Sequence, residues 1–136
     1  MTQEEKDLLV KDLCPRLPYG VVCQVDDGAA GLNDGKLVEI DISKELVRFD
    51  ADYYWDAYID DIKPYLFPMS SMTEEQTKEY EGIIYKNIEL HCERYYDVID
   101  IDDFDCLIDF YHKYHLDYRG LIPMGLAIDA TDKNIY

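Results

Sequence analysis

The residues of this chain that could do chemistry gather in its last third. Asp97, Asp100, Asp102, Asp103, Asp105 and Asp109 follow one another with no Lys or Arg between them. Clustered carboxylates are the ligands that hard cations such as calcium prefer. An EF-hand loop, however, needs a glycine at its sixth position and a glutamate at its twelfth. Counted from Asp100, the sixth position is Asp105, and the run contains no glycine. Asp102 and Asp103 are better placed as first-turn residues facing the positive end of a helix dipole. Asp109-x-x-His112-x-x-His115 sets three possible zinc ligands along one side of a helix. That spacing drifts around the helix, and His115 falls on the apolar stripe, where a packed, hydrogen-bonded histidine is expected. No metal is assigned to either pattern, and no cofactor is called for.

The one local string that points to binding is Asp117-Tyr118-Arg119-Gly120. Arg119 is the first basic residue after Lys113 in an acidic stretch, and Gly120 permits a tight turn. Two roles compete. In one, Arg119 bridges acidic groups while Tyr118 packs on the core. In the other, Arg119 receives a carboxylate or phosphate. The structural role carries more weight, and Tyr118 and Arg119 are kept as the candidate binding residues. No catalytic residue is assigned, because the chain has no G-x-S-x-G elbow, no P-loop and no dinucleotide-binding glycine fingerprint. Cys14, Cys23, Cys92 and Cys106 show no C-x-x-C spacing. They are expected to be reduced and mostly buried thiols.

The charge narrows the partners. Thirty acidic residues against thirteen basic ones give a net charge of −17 over 136 residues. Such a surface repels phosphate backbones and anionic membranes and attracts basic partners. Direct nucleic-acid and membrane binding are therefore not expected. Apolar residues make up 48% of the chain, an ordinary globular proportion that argues against disorder. The thirteen tyrosines suit the edge of a core, where the ring is buried and the hydroxyl stays wet. The opening Met1-Thr2-Gln3-Glu4-Glu5 is charged and has no signal-peptide apolar region. No apolar run approaches the length needed to span a bilayer. A cytoplasmic location is expected, with the carboxylates outward in water and only aliphatic and aromatic side chains inside.

The elements that must position these residues form a single α+β domain over 1–136: a small antiparallel sheet of three to four strands packed by about three helices. Thr2-x-x-Glu5 is a capping box that opens a first helix over residues 3–13, ending before Pro15. Strands are expected at 19–25, 37–42 and 46–49. Residues 53–59 are a further candidate, although Tyr54, Tyr58 and Ile62 also fit helical spacing. Ile62 to Met69 carries Pro64 and Pro68 and reads as an ordered crossover, not a central strand. Thr73-x-x-Gln76 is a second capping box, opening a helix from Glu74 to Tyr85 or beyond. A short strand is expected near 98–101. Asp102 then caps a third helix over 103–115, with Phe104, Leu107, Ile108, Tyr111 and His115 on its apolar stripe.

Three strings resemble a group of small uncharacterised proteins common in Bacteroides-type gut bacteria and their phages or prophages. They are Leu13-Cys14-Pro15-Arg16-Leu17-Pro18-Tyr19-Gly20-Val21, the segment Ile62-Lys63-Pro64-Tyr65-Leu66-Phe67-Pro68-Met69-Ser70-Ser71-Met72-Thr73-Glu74-Glu75, and His115-Leu116-Asp117-Tyr118-Arg119-Gly120-Leu121-Ile122 continuing to Gly125-Leu126-Ala127. The resemblance covers about a third of the chain and implies a mobile-element or host-accessory origin. It implies no activity and supplies no catalytic residues. The expectation from the whole sequence is a non-catalytic protein-binding or regulatory module whose partner is another protein, one with a basic surface. The alternatives are a nucleic-acid mimic that occupies the cleft of a DNA-binding enzyme, and a metal-assisted hydrolase built on Asp97–His115.

Overall fold

A computed structural model describes residues 1–50, 55–91 and 101–136, with side chains described for all of these except 85–91 and 101–103. Helix α1 runs over Gln3–Leu13 and α2 over Glu74–His91. Helix α3 covers Ile101–Lys113. The strands are β1 (Val22–Asp26), β2 (Leu32–Asp41), β3 (Leu46–Asp50), β4 (Trp55–Tyr58), β5 (Ile62–Leu66) and β6 (Ile128–Asp129). They form one sheet in the order β4-β3-β2-β1-β5-β6. All its pairings are antiparallel except β5 with β6. The α+β class holds, but the sheet is larger than the three or four strands expected, and it is mixed.

Both capping boxes form as their residues dictate. Thr2 Oγ1 accepts from Glu5 N–H, and the Glu5 carboxylate accepts from Thr2 N–H at 2.7 Å. Thr73 and Gln76 exchange the same reciprocal pair. Each box satisfies two backbone donors that a bare helix end leaves open. Helix α1 turns Leu9 and Leu13 onto the inner face of the sheet, where they join Cys23, Val25, Leu37, Val47, Phe49, Ile59 and Ile62 in the core.

Cross-strand pairing sorts the two faces. Leu37 lies opposite Phe49, and Phe49 opposite Trp55; their rings stack at 4.8 Å on the inner face. The next rung faces water. Arg48 of β3 donates to Glu39 of β2 at 2.7 Å and to Asp56 of β4 at 3.0 Å. That charge ladder crosses three strands, and directly opposed opposite charges stabilise a sheet. A bulge between Leu37 and Glu39 takes Val38 out of the pairing and turns it toward solvent. The backbone at Gly35 lies close under Phe49: a Cβ there would come within 3.0 Å of the ring.

Two elements depart from expectation for reasons visible in the contacts. Ile62–Leu66, expected to be a crossover, is strand β5, flanked by β1 on one side and β6 on the other. Pro64 is tolerated because it is the last residue of the β1–β5 ladder, opposite Cys23, so its missing N–H costs no further rung. Beyond it the strands separate, and Tyr136 fills the gap. Its hydroxyl accepts from Val22 N–H at 3.2 Å and donates to the Tyr65 carbonyl at 2.7 Å. Helix α3 begins at Ile101, ahead of the expected cap, and stops at Lys113. His115 is therefore not on its stripe: it adopts φ 52°, in the left-handed region that ends helices. Phe104, expected inside, is 49% exposed, and Phe110 is buried in its place. The 98–100 part of the expected short strand, together with Tyr53 and Tyr54, lies outside the described residues.

Candidate functional site

The chain does not stop coiling at Leu13. A 3₁₀ segment, Cys14–Tyr19, continues the turn of α1 and carries Arg16 back over the helix end. Asp12 and Arg16 thus stand four residues apart on a continuous helical path. Both are wholly buried, and they form a two-pronged pair: Arg16 Nε to Asp12 Oδ2 at 2.8 Å and Nη2 to Oδ1 at 3.1 Å. Arg16 Nη2 also donates to the Leu116 carbonyl at 2.8 Å. This corrects the expectation that carboxylates stay outside, since Asp12 and Asp117 are both buried. Removing charges from water is costly, and the two-pronged pairing with the added carbonyl contact offsets much of that cost, although Arg16 Nη1 is left without a partner among the described residues.

The segment after α3 completes the cluster. Phe67 and Leu116 form a parallel bridge: Phe67 N–H donates to the His115 carbonyl, and Asp117 N–H to that of Phe67. The Asp117 carboxylate accepts from the backbone N–H groups of Leu121 and Ile122, at 2.7 and 2.9 Å, and so closes the loop through Gly120 at φ 74°. Arg119 is thereby aimed at Asp12, its Nε 3.3 Å from Oδ1 but off the line of a hydrogen bond. Tyr118 lies under both guanidiniums, with Arg16 Cζ 5.3 Å and Arg119 Cζ 5.0 Å from its ring centroid. Two aromatic rings also pack on it, Tyr111 stacked at 4.9 Å and His112 tilted at 5.6 Å. Its hydroxyl shares a 3.0 Å hydrogen bond with His112 Nε2.

Tyr118 and Arg119, the two candidates named from sequence, therefore sit together, and both have structural work. Arg119 bridges to an acidic group and Tyr118 packs inward. Asp12 and Arg16 were not foreseen as members, although their i, i+4 spacing is a sequence-level sign of pairing. The three strings that carry the resemblance above converge here: Arg16 comes from the first, Phe67 from the second, and Leu116 to Arg119 from the third.

His112 and His115 take packing roles. Burial lowers the His112 pKa from its ordinary value, and the Arg16 charge lowers it further. His115 is pushed down to about 4, first by burial and then by Arg16 and His112; its ring stacks on Tyr136 at 3.7 Å. Asp109, the third member of the suggested zinc set, instead accepts from the Tyr19 hydroxyl at 2.9 Å. Among the described residues no three His, Cys, Asp or Glu side chains are grouped to hold a metal ion. Nor is any described helix long and apolar enough to cross a membrane. Cys92 lies outside the described residues, and the three described thiols are free but not uniformly buried. Cys23 is buried and Cys14 partly so, whereas Cys106 is exposed.

A second feature lies at the far end of the sheet, where the β1–β2 turn faces β4. A cleft of about 520 Å³ opens there, lined in part by Asp26, Asp27, Asp56 and Asp61, with Trp55 and Tyr58 as its aromatic members. It is lined by no basic side chain among the described residues. Tyr58 is 60% exposed. Carboxylates beside aromatic faces form a receptor for a cationic side chain, because each attracts a guanidinium or ammonium group by its own electrostatics. Compared with family models, curated proteins and solved structures, the chain matches none.

Proposed function

We propose that this protein is a non-catalytic protein-binding module of phage or mobile-element type that docks a basic segment of its partner. The observation that supports this most is the Trp55–Tyr58 cleft bordered by Asp26, Asp27 and Asp61, the carboxylate of its fourth aspartate, Asp56, being held by Arg48. A lysine or arginine entering it meets carboxylates for its charge and aromatic rings for its stem. The net charge of −17 steers such a partner toward the surface and speeds encounter at low salt.

Trp55 is the chain's one tryptophan, so its fluorescence reports on the cleft directly. Titration with an arginine-rich peptide should change that emission saturably, and the apparent affinity should fall as salt rises. Asp27→Asn with Asp61→Asn should weaken binding about tenfold, at roughly 0.7 kcal/mol per lost charge contact. A glutamate-rich peptide of equal length should have no effect. Unchanged emission with the basic peptide, or equal binding by the double variant, would remove the cleft as the docking site.

A further inference from the structure

Arg16 and Arg119 bring two guanidinium groups to one carboxylate. Both approach the same oxygen of Asp12, Arg16 through Nη2 at 3.1 Å and Arg119 through Nε at 3.3 Å, so the two cations are immediate neighbours. Among the described residues no other carboxylate lies within ion-pair distance of either. Asp117 turns to the backbone of Leu121 and Ile122, and Asp109 to the Tyr19 hydroxyl. Donors are left over as well. Arg16 is wholly buried, yet its Nη1 has no hydrogen-bond partner. Arg119 makes no hydrogen bond among the described residues, and its Nε is buried while the side chain as a whole is 27% exposed. The exposed part of its polar head is therefore the terminal Nη pair, the fork that matches a planar oxyanion. Asp12 and the Tyr118 ring hold that fork in place, which removes much of the entropic cost of ordering an arginine on binding.

We infer that the Arg119 fork, backed by the incompletely paired Arg16, is a receptor for a single carboxylate. The unmatched charge here is one guanidinium, which a monoanion neutralises. A phosphate dianion would exceed it and would meet stronger repulsion from a chain of net charge −17. This site is separate from the Trp55 cleft in residues and in ligand charge, so either can fail without the other.

The test follows the Nε–Hε resonances of Arg16 and Arg119 by nitrogen-edited NMR, at constant ionic strength set with chloride. The probes are acetate, a tripeptide with a free C-terminal carboxylate, the same tripeptide amidated, and inorganic phosphate. Saturable shifts are expected with acetate and the free tripeptide and none with the amide. Equal affinity for the first two identifies a small carboxylate as a sufficient ligand, whereas tighter binding of the tripeptide identifies a chain end. Arg119→Lys keeps the charge but loses the fork, and should weaken binding roughly tenfold with the melting temperature nearly unchanged. Arg119→Gln should abolish it. The inference is overturned if neither carboxylate gives a saturable shift, if phosphate binds more tightly than both, or if Arg119→Lys binds as the parent does.

Discussion

Arg16 grips Asp12 through two roughly parallel hydrogen bonds, 2.8 and 3.1 Å, at a point where neither side chain touches water. Breaking such a pair from one side strands a charge in the interior. Asp12→Asn leaves Arg16 and Arg119 without a carboxylate and should destabilise the fold by about 3 to 5 kcal/mol. Replacing both partners with apolar residues, Asp12→Leu with Arg16→Met, should cost less than the aspartate change alone, because the wholly buried guanidinium goes with its carboxylate and the remaining one, Arg119, reaches solvent. Urea unfolding of the single and double variants measures this. A double variant weaker than Asp12→Asn would mean that packing around the aliphatic stem of Arg16, not its charge, dominates the site.

Much of this arrangement is legible in the sequence, and the rest is hidden for physical reasons. The helix starts can be read from Thr2-x-x-Glu5 and Thr73-x-x-Gln76 because capping is local chemistry. Strand β5 is hidden because Pro64 argues against a central strand, and its tolerance depends on its standing last in the ladder with β1, a register the local string does not reveal. The burial of Asp12 is hidden because an aspartate in an acidic chain reads as solvated. Its partner Arg16 lies past Pro15, where a helix is expected to have ended. Tyr118 and Arg119 are visible as an isolated string, but the second guanidinium beside them comes from the other end of the chain. Phe104 is misplaced because periodicity gives a stripe without saying which of its ends the neighbouring elements cover.

Tyr136 closes the opening between β1 and β5 with one hydroxyl, receiving from Val22 N–H and giving to the Tyr65 carbonyl. Burial raises its pKa well above the usual phenol range, so it remains protonated and able to donate. Although the residue as a whole is 44% exposed, that hydroxyl is turned inward. Tyr136→Phe keeps the ring stacked on His115 and removes only the bridge. A loss of about 1 to 2 kcal/mol is expected, the cost of leaving a backbone donor and acceptor without partners. Amide exchange at Val22 should quicken in the variant. Unchanged protection there would show that the hydroxyl is not what seals the ladder.

Gly35 is needed for its lack of a side chain. It is buried in β2, and an added Cβ would meet Phe49 Cδ1 at 3.0 Å and Cβ at 3.1 Å. Phe49 cannot easily yield, since it is wholly buried and stacked on Trp55. Gly35→Ala should therefore destabilise by about 1 to 3 kcal/mol, against the usual gain when alanine replaces glycine in regular structure. Pairing it with Phe49→Leu should recover part of the loss. A Gly35→Ala protein as stable as the parent would show that the ring has room to move.

Stability should fall as the pH is lowered from 6.5 toward 4, and His115 should account for much of that fall. The unfolded chain takes up this proton near pH 6.5, whereas the folded histidine, buried and close to Arg16, resists it until about 4. Between those values the unfolded state binds more protons, so each step downward favours unfolding, and the effect levels off below the folded value. Integrated over the window, this is about 3 kcal/mol. His112, lowered in the same direction by burial and then Arg16, adds to it. The carboxylates held low by hydrogen bonds, Glu79 and Asp41 among them, contribute mainly below about pH 4.5, from their ordinary values of 4.5 and 3.8. The range from 6.5 to 5 therefore isolates the histidines. His115→Asn tolerates the left-handed backbone at this position and removes the titrating ring. Its melting temperature should be lower than the parent's at pH 7 and should decline less steeply between pH 6.5 and 5. Parallel declines in the two proteins would mean that His115 is protonated in the folded state at an ordinary pH, and that the stacked ring on Tyr136 is open to water.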